Sequence, residues 1–321
     1  MRQGSIHRSA RPQTSPADQG FTLIETMVAL SVLLIVMGAV MSNLIQFAQT
    51  QSLVWNRANM HGGVRSATEL LQQEVGQAGS ASLAPGTKMT SAVTAAGSQT
   101  VAVTSTANMF VGEQLVIDTG QQEETVKVTA VNSATSITGT FTLTHVADVP
   151  VAVRGGFASG VVPKTNPDGS LWTNGSRDDR LKLYGDINGD TDMVYVEYVC
   201  DTIGGNLSRN MMPFSSASKP AVNAGQVLLT NLLPNPGGTA CFTYEEKTVN
   251  GQRYVINVAI TLTSQTQFRD RVTRQFQTET KALLNVAPRN VFEAWQLASM
   301  GAKNRIQPMP PSVTHLLEPP H

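Results

Sequence analysis

The sequence predicts an α+β protein: a long N-terminal transmembrane helix that packs on an antiparallel β-sheet domain with an inserted small all-β unit. No charged residue occurs from position 26 to 56, and positions 27–41 are strongly apolar. Apolar residues then recur at three-to-four spacing as far as Val75, which indicates one continuing helix with a single apolar face. Beyond position 97, β-branched and aromatic residues alternate in short runs between turn residues, as in antiparallel strands. Helix and strands are therefore segregated along the chain, which defines the α+β class.

Composition limits the function classes. The 321 residues are 41% hydrophobic and carry 23 basic and 23 acidic side chains. This length suits two modest domains or one domain with an insertion. Balanced charge argues against bulk binding of nucleic acid, which requires a basic face, so no nucleic-acid partner is expected.

The flanks of the apolar run indicate a membrane anchor. A helix over 21–47 would be about 40 Å long at ~1.5 Å per residue, longer than the ~30 Å hydrocarbon core. Arg2, Arg8 and Arg11 precede it, and such a basic flank stays in the cytoplasm, which leaves the C-terminal part outside. An ordinary secretory signal has a small-residue cleavage site after its apolar run, and no convincing one is found here.

The motif Gly20-Phe21-Thr22-Leu23-Ile24-Glu25 stands directly before the apolar run. At all six positions it resembles the type IV prepilin family. The resemblance implies cleavage between Gly20 and Phe21 by an inner-membrane prepilin peptidase, followed by N-methylation of Phe21. It also implies a single-pass protein of the bacterial inner membrane that later joins a pilus or pseudopilus at the cell surface. The implied partners are other minor and major pilins and the inner-membrane assembly platform.

Glu25 is unusual because it places a carboxylate at the edge of an apolar helix. A charged residue near a bilayer centre costs about 2.5–3.5 kcal/mol on insertion scales, so it normally has a partner. The resemblance implies that Glu25 pairs with the N-terminal amine of a neighbouring subunit during assembly. The alternative is an interfacial acid tolerated in a plain signal anchor.

The expected organisation has five segments. They are a leader over 1–20, a helix over 21–79, an inserted β unit over 98–154, a β-rich pilin domain over 155–290 and a C-terminal tail over 291–321. The proline-rich positions 308–320 predict an extended or disordered end.

The downstream segments resemble the PilW-type minor pilins and the related J-type pseudopilins. The resemblance rests on Arg65 and Glu74 in the helix and on positions 198–201, 206–209 and 280–290. It implies a minor pilin that acts in pilus assembly or priming at the tip. A pseudopilin of a type II secretion system is the alternative, and a tip-located adhesin or binding module with 98–154 as its receptor is another.

Cys200 and Cys241 are the two cysteines. Two are too few for a cysteine-rich zinc site or a disulfide scaffold. One disulfide is expected if the domain is exported to an oxidising compartment, and two unpaired core thiols are the alternative.

A turn over 186–192 suggests a possible calcium site. Its oxygen-bearing side chains alternate at Asp186, Asn188, Asp190 and Asp192, a spacing that Ca²⁺ loops use. The alternative is a polar turn, because Asn-Gly is itself a hairpin signal. No other cofactor is expected.

Motifs for catalysis are weak, so the chain is not expected to be an enzyme. Ser216 and Lys219 fit the S-x-x-K pattern of serine acylases, but Pro220 blocks the helix that would place both on one face. His61 and His145 stand apart from other ligands in sequence. Nucleophile-elbow, P-loop and dinucleotide patterns are missing from the sequence.

Overall fold

A computed structural model describes residues 20–270 and 273–318. The expected leader, apart from Gly20, lies outside the described residues. Two compact units divide the chain, one up to Val54 and one from Trp55 onward. Helix α1 (Leu23–Gln77) contributes to both.

In the first unit, the structure describes residues 20–54, which consist mainly of the N-terminal part of α1. This part is long and apolar enough to cross a membrane. Its side chains are exposed all round the helix, with Leu34 70% and Ile35 73% exposed. An exposed surface that is apolar on every side fits a membrane-anchored protein.

The second unit contains a small β-barrel. Its antiparallel strands run in the order β1-β4-β3-β2-β5. They are β1 (Gly97–Ala102), β2 (Gln114–Ile117), β3 (Glu124–Ser133), β4 (Ser136–Phe141) and β5 (Val151–Val153). Residues 87–93 close the ring: Met89 pairs with Val103 beyond β1, and its N–H donates to the Val149 oxygen before β5 at 2.9 Å. The barrel therefore begins earlier than the boundary expected at 98.

The remaining strands form the larger β-domain. The first of its sheets has the order β10-β9-β8-β7, and in the second, β13 pairs with β11, β12 and β14. In chain order they are β6 (Gly156–Phe157), β7 (Arg180–Gly185), β8 (Val194–Asp201), β9 (Asn206–Pro213), β10 (Val227–Thr230), β11 (Leu232–Leu233), β12 (Phe242–Val249), β13 (Gln252–Gln265), β14 (Thr278–Val286) and β15 (Ile306–Gln307). All these pairings are antiparallel except that of β15 with β6. A long helix with antiparallel sheets confirms the α+β class and is consistent with a pilin fold.

The C-terminal half of α1 packs on these sheets. Its buried apolar residues are Met60, Val64, Ala67, Leu71 and Val75. Their three-to-four spacing places them on one face of the helix. The last four share a core with β7, β8, β12 and β13, so burial of this face holds the helix on the β-domain.

A glycine contact fixes the end of α1. Gly79 has a positive φ of 85°, and its N–H donates to the Tyr184 oxygen at 2.9 Å. A Cβ at Gly160 would lie 2.1 Å from the Gly79 Cα. The backbones at Gly79 and Gly160 are therefore too close to leave room for a side chain at Gly160. The left-handed conformation of Gly79 ends the helix.

The C-terminal segment is folded as far as Glu318. Helix α2 (Arg289–Ser299) buries Val291 and Ala294, and helix α3 (Pro311–Leu316) buries Val313 and Leu316. The expected extended or disordered end over 308–320 is wrong for the described part. Proline at the first position of a helix is favourable rather than disruptive, and the apolar residues after it find a core.

A disulfide joins Cys200 at the end of β8 to Cys241 directly before β12, with 6.4 Å between their Cα atoms. The two cysteines are 41 positions apart, and the chain-entropy account values closure of a loop of this length at about 3–4 kcal/mol. We expect non-reducing peptide mapping to recover the two residues as one linked pair. The double variant Cys200→Ser/Cys241→Ser should unfold at a lower temperature. Two alkylatable thiols in the native protein would contradict the pairing.

Candidate functional site

The Gly20–Phe21 peptide bond lies before the first turn of α1. Both residues are exposed, and Phe21 is 84% exposed. A Cβ added at Gly20 would meet no atom within 4 Å. Packing within the described chain therefore does not require glycine at this position, and the bond is accessible outside the helix.

Thr22 and Glu25 form a capping box at the start of α1. The Thr22 N–H donates to Glu25 Oε2 at 3.0 Å, and the Glu25 N–H donates to Thr22 Oγ1 at 3.3 Å. This reciprocal pattern satisfies two backbone donors that a helix start leaves free. In the single subunit, the Glu25 carboxylate is thus already hydrogen-bonded within its own chain. The Thr-x-x-Glu spacing is the sequence signature of such a box.

Glu74 anchors the C-terminal half of α1 to the first sheet. The Arg209 guanidinium on β9 donates to Glu74 through Nε and Nη2, with Nε 2.9 Å from Oε1. The Tyr198 hydroxyl on β8 donates to Glu74 Oε2 at 2.5 Å. Burial, together with the adjacent Glu74 carboxylate, raises the pKa of Tyr198, which keeps the phenol protonated as a donor.

Further along α1 towards its N-terminus, polar contacts reach β14 and the segment that connects it to β13. The Asn56 side chain donates to the Phe268 oxygen at 2.7 Å. Arg57 contacts Gln277, and His61 contacts Glu279 on β14. These contacts begin at residue 56, where the uncharged run ends. Polar residues thus replace the uncharged, mainly apolar ones of α1 where the helix begins to contact the β-domain.

The turn expected to hold calcium is hydrogen-bonded to itself. Asp186 accepts from the Gly189 N–H at 2.8 Å and from the Thr191 N–H at 3.2 Å. Asp190 accepts from the Asp192 N–H at 3.0 Å, and Asn188 is exposed. Within residues 20–270 and 273–318, no group of three or more His, Cys, Asp or Glu side chains could hold a metal ion. Calcium binding at this turn stays a prediction.

Lys219 of the S-x-x-K pattern has an ionic partner in the domain interior. Its Nζ lies 2.7 Å from Glu197 Oε2, and the Tyr195 hydroxyl donates to the same oxygen at 2.7 Å. Lys219 is therefore a charge partner of Glu197 on β8, which is a structural role.

His145 lies buried in the barrel between two acids. Its Nε2 is 2.7 Å from Glu124 Oε1, and its Nδ1 is 3.2 Å from Asp118 Oδ2. Asp118 and Glu124 lie 27 and 21 positions from His145, so sequence spacing gave no hint of this contact. These contacts connect the loop before β5 to the residue after β2 and to the first residue of β3.

Comparison with known proteins supports the prediction of a prepilin-type motif near the N-terminus. Residues 16–41 match the family described as the prokaryotic N-terminal methylation motif. No curated protein and no solved structure matches the chain. The motif supports a type IV pilin or pseudopilin, and its apolar helix fits a membrane-anchored one. It implies processing by a prepilin peptidase and pilin-type partners, and it suggests a structural protein rather than an enzyme.

Proposed function

We propose that this protein is a PilW-type minor pilin that helps to assemble or prime a type IV pilus. The N-terminal methylation motif at the head of an exposed apolar helix carries the proposal. The distal half of the same helix is fixed to a folded β-domain through an apolar face and through Glu74. A membrane-anchoring helix that carries a folded domain on its distal half suits a filament subunit.

Maturation begins with hydrolysis of the Gly20–Phe21 bond in the inner membrane. The reaction frees the amino group of Phe21, which is then methylated. Exposure of both residues supports this step, because a peptidase can reach an unpacked backbone outside a helix.

Assembly then depends on Glu25. In the single subunit its carboxylate accepts from Thr22, but neither of those donors carries a charge. The Phe21 amine of a neighbouring subunit would add an ion pair, in which the donor as well as the acceptor is charged. The gain is largest where lipid or packed helices exclude water. The partners are therefore other minor and major pilins, brought together at the inner-membrane assembly platform.

Gly20→Val should block maturation and leave a chain that retains its twenty leader residues. The fold should be unaffected, because the site is exposed and a Cβ there would meet no atom within 4 Å. Gel mobility and intact mass measure the outcome. Gly38→Ala, also free of neighbours within 4 Å, is the matched control and should be processed normally. Normal processing of Gly20→Val would contradict the proposal.

A pseudopilin of a type II secretion system uses the same anchor and is the alternative. A deletion strain separates the two roles when surface pili and secreted protein are counted together. The proposal expects loss of pili, unchanged secretion and co-purification with pilus components. Loss of secretion with normal pili would favour the pseudopilin.

A further inference from the structure

A cleft of about 660 Å³ lies where four parts of the second unit meet. Its walls come from the barrel, the loop over 163–172, the turn between β12 and β13, and the segment around β15. Sites for small ligands typically occupy about 300–1,000 Å³ and often form between domains. The cleft therefore has the size and position of a ligand site.

Every charged residue that lines this cleft is basic. They are Lys127 on β3, Arg253 on β13 and Lys303 beyond α2. Arg253 is compensated, because its Nε lies 3.1 Å from Glu246 Oε2. Lys127 and Lys303 are exposed, and neither takes part in an ion pair formed within the described ranges. Two uncompensated cations thus line an open cleft, which favours an anionic ligand.

Amide side chains supply several of the neutral polar groups of the lining. The Asn166 amide nitrogen donates to Ser170 Oγ at 3.0 Å, and the Asn250 nitrogen donates to the Ala298 oxygen at 3.3 Å. Since these donors already have partners in the protein, the amide oxygens remain as acceptors. Acceptors of this kind suit ligands that present hydroxyl donors.

Trp172 adds a half-buried aromatic ring to the same lining. An indole offers a flat apolar surface to the C–H face of a sugar ring. A carboxylate, several hydroxyl groups and an apolar ring face occur together in acidic sugars.

We propose that this cleft binds an acidic glycan through a carboxylate-bearing sugar. Lys127 and Lys303 would pair with the carboxylate, Asn166 and Asn250 would accept from hydroxyl groups, and Trp172 would stack on the ring. Single-stranded nucleic acid requires a basic groove that follows several phosphates, and two free lysines do not form one. The proposal is separate from the assembly role, because it uses no residue of α1.

The test is binding of the full-length chain, in detergent, to an array of uronic- and sialic-acid oligosaccharides. Their neutral counterparts, a polyglutamate peptide and oligo-dT are included on the same array. Calorimetry then gives affinities for the best binder. Lys127→Gln/Lys303→Gln should weaken binding roughly tenfold or more, given the usual value of charge-assisted hydrogen bonds, and Trp172→Ala should also weaken it. Lys88→Gln removes an exposed charge from the same barrel outside the cleft lining and should leave affinity unchanged.

Preference for acidic over neutral glycans, lost in the double variant but not in Lys88→Gln, would support the site. Three outcomes would overturn it: no glycan binding, equal binding by the double variant, or tighter binding of polyglutamate or oligo-dT.

Piliation of the double variant in cells separates the two proposals. Normal piliation is expected whether or not the glycan binds, whereas a piliation defect would show that the cleft lysines act in assembly and would count against the glycan proposal alone.

Discussion

Glu25→Val is expected to give a protein that is inserted and cleaved after Gly20 but does not enter the filament. Valine removes the charge and makes the helix more apolar, so membrane insertion should be at least as favourable as in the wild type. The acceptor for a neighbouring Phe21 amine is lost, and assembly should fail. Cell fractionation beside a count of surface pili measures both effects.

Thr22→Val separates the assembly role of Glu25 from its role in the capping box. This variant removes the Thr22 hydroxyl that bonds to Glu25 and keeps the carboxylate. It should therefore assemble, whereas Glu25→Val should not. The comparison belongs in a strain that depends on this protein, so that other minor pilins do not mask the defect. Wild-type piliation by Glu25→Val there would favour the plain signal anchor.

Glu74→Ala is expected to destabilise the second unit by about 3–5 kcal/mol, the usual cost of removing one partner from a buried ion pair. The Arg209 side chain is only 18% exposed, and the buried Tyr198 hydroxyl would also lose its acceptor. The same substitution detaches a polar link between α1 and the first sheet. Thermal unfolding of the full chain in detergent should show a markedly lower Tm.

Glu69→Ala is the matched control for Glu74→Ala. Glu69 lies on the same helix and pairs with Arg65 at 2.7 Å, but both side chains are more than half exposed. Exposed pairs contribute little because water and salt screen them. A nearly unchanged Tm is expected for this variant. Equal losses in the two variants would contradict the buried anchor.

The sequence predicted the fold class because its main signals are local. The apolar run and the spacing of Val64, Leu71 and Val75 define α1 without any tertiary information. Strand β9 (Asn206–Pro213) lacks Val, Ile and aromatic residues, so its propensity is weak. It forms because β8 supplies a partner along its whole length. Closure of the barrel by residues 87–93 is likewise a distant pairing that local patterns do not encode.

The candidate site divides in the same way. The cleavage motif is contiguous, and the Thr22–Glu25 capping box is a local pattern. The contact of Glu74 with Arg209 joins positions 135 apart, and nothing in the residues between them indicates it. Helix α3 was missed because prolines surround its start at 308, 310 and 311. Helix α2 contains no proline, and the helical spacing of Val291, Ala294 and Ala298 would have indicated it.

Mass spectrometry of the mature N-terminus tests the central claim most directly. The measurement uses the protein recovered from the membrane or filament fraction of cells with an active prepilin peptidase. The N-terminal peptide should begin at Phe21 and carry one additional methyl group on its amine. A chain that retains the leader, or one cut after the apolar run, would contradict a pilin-type subunit.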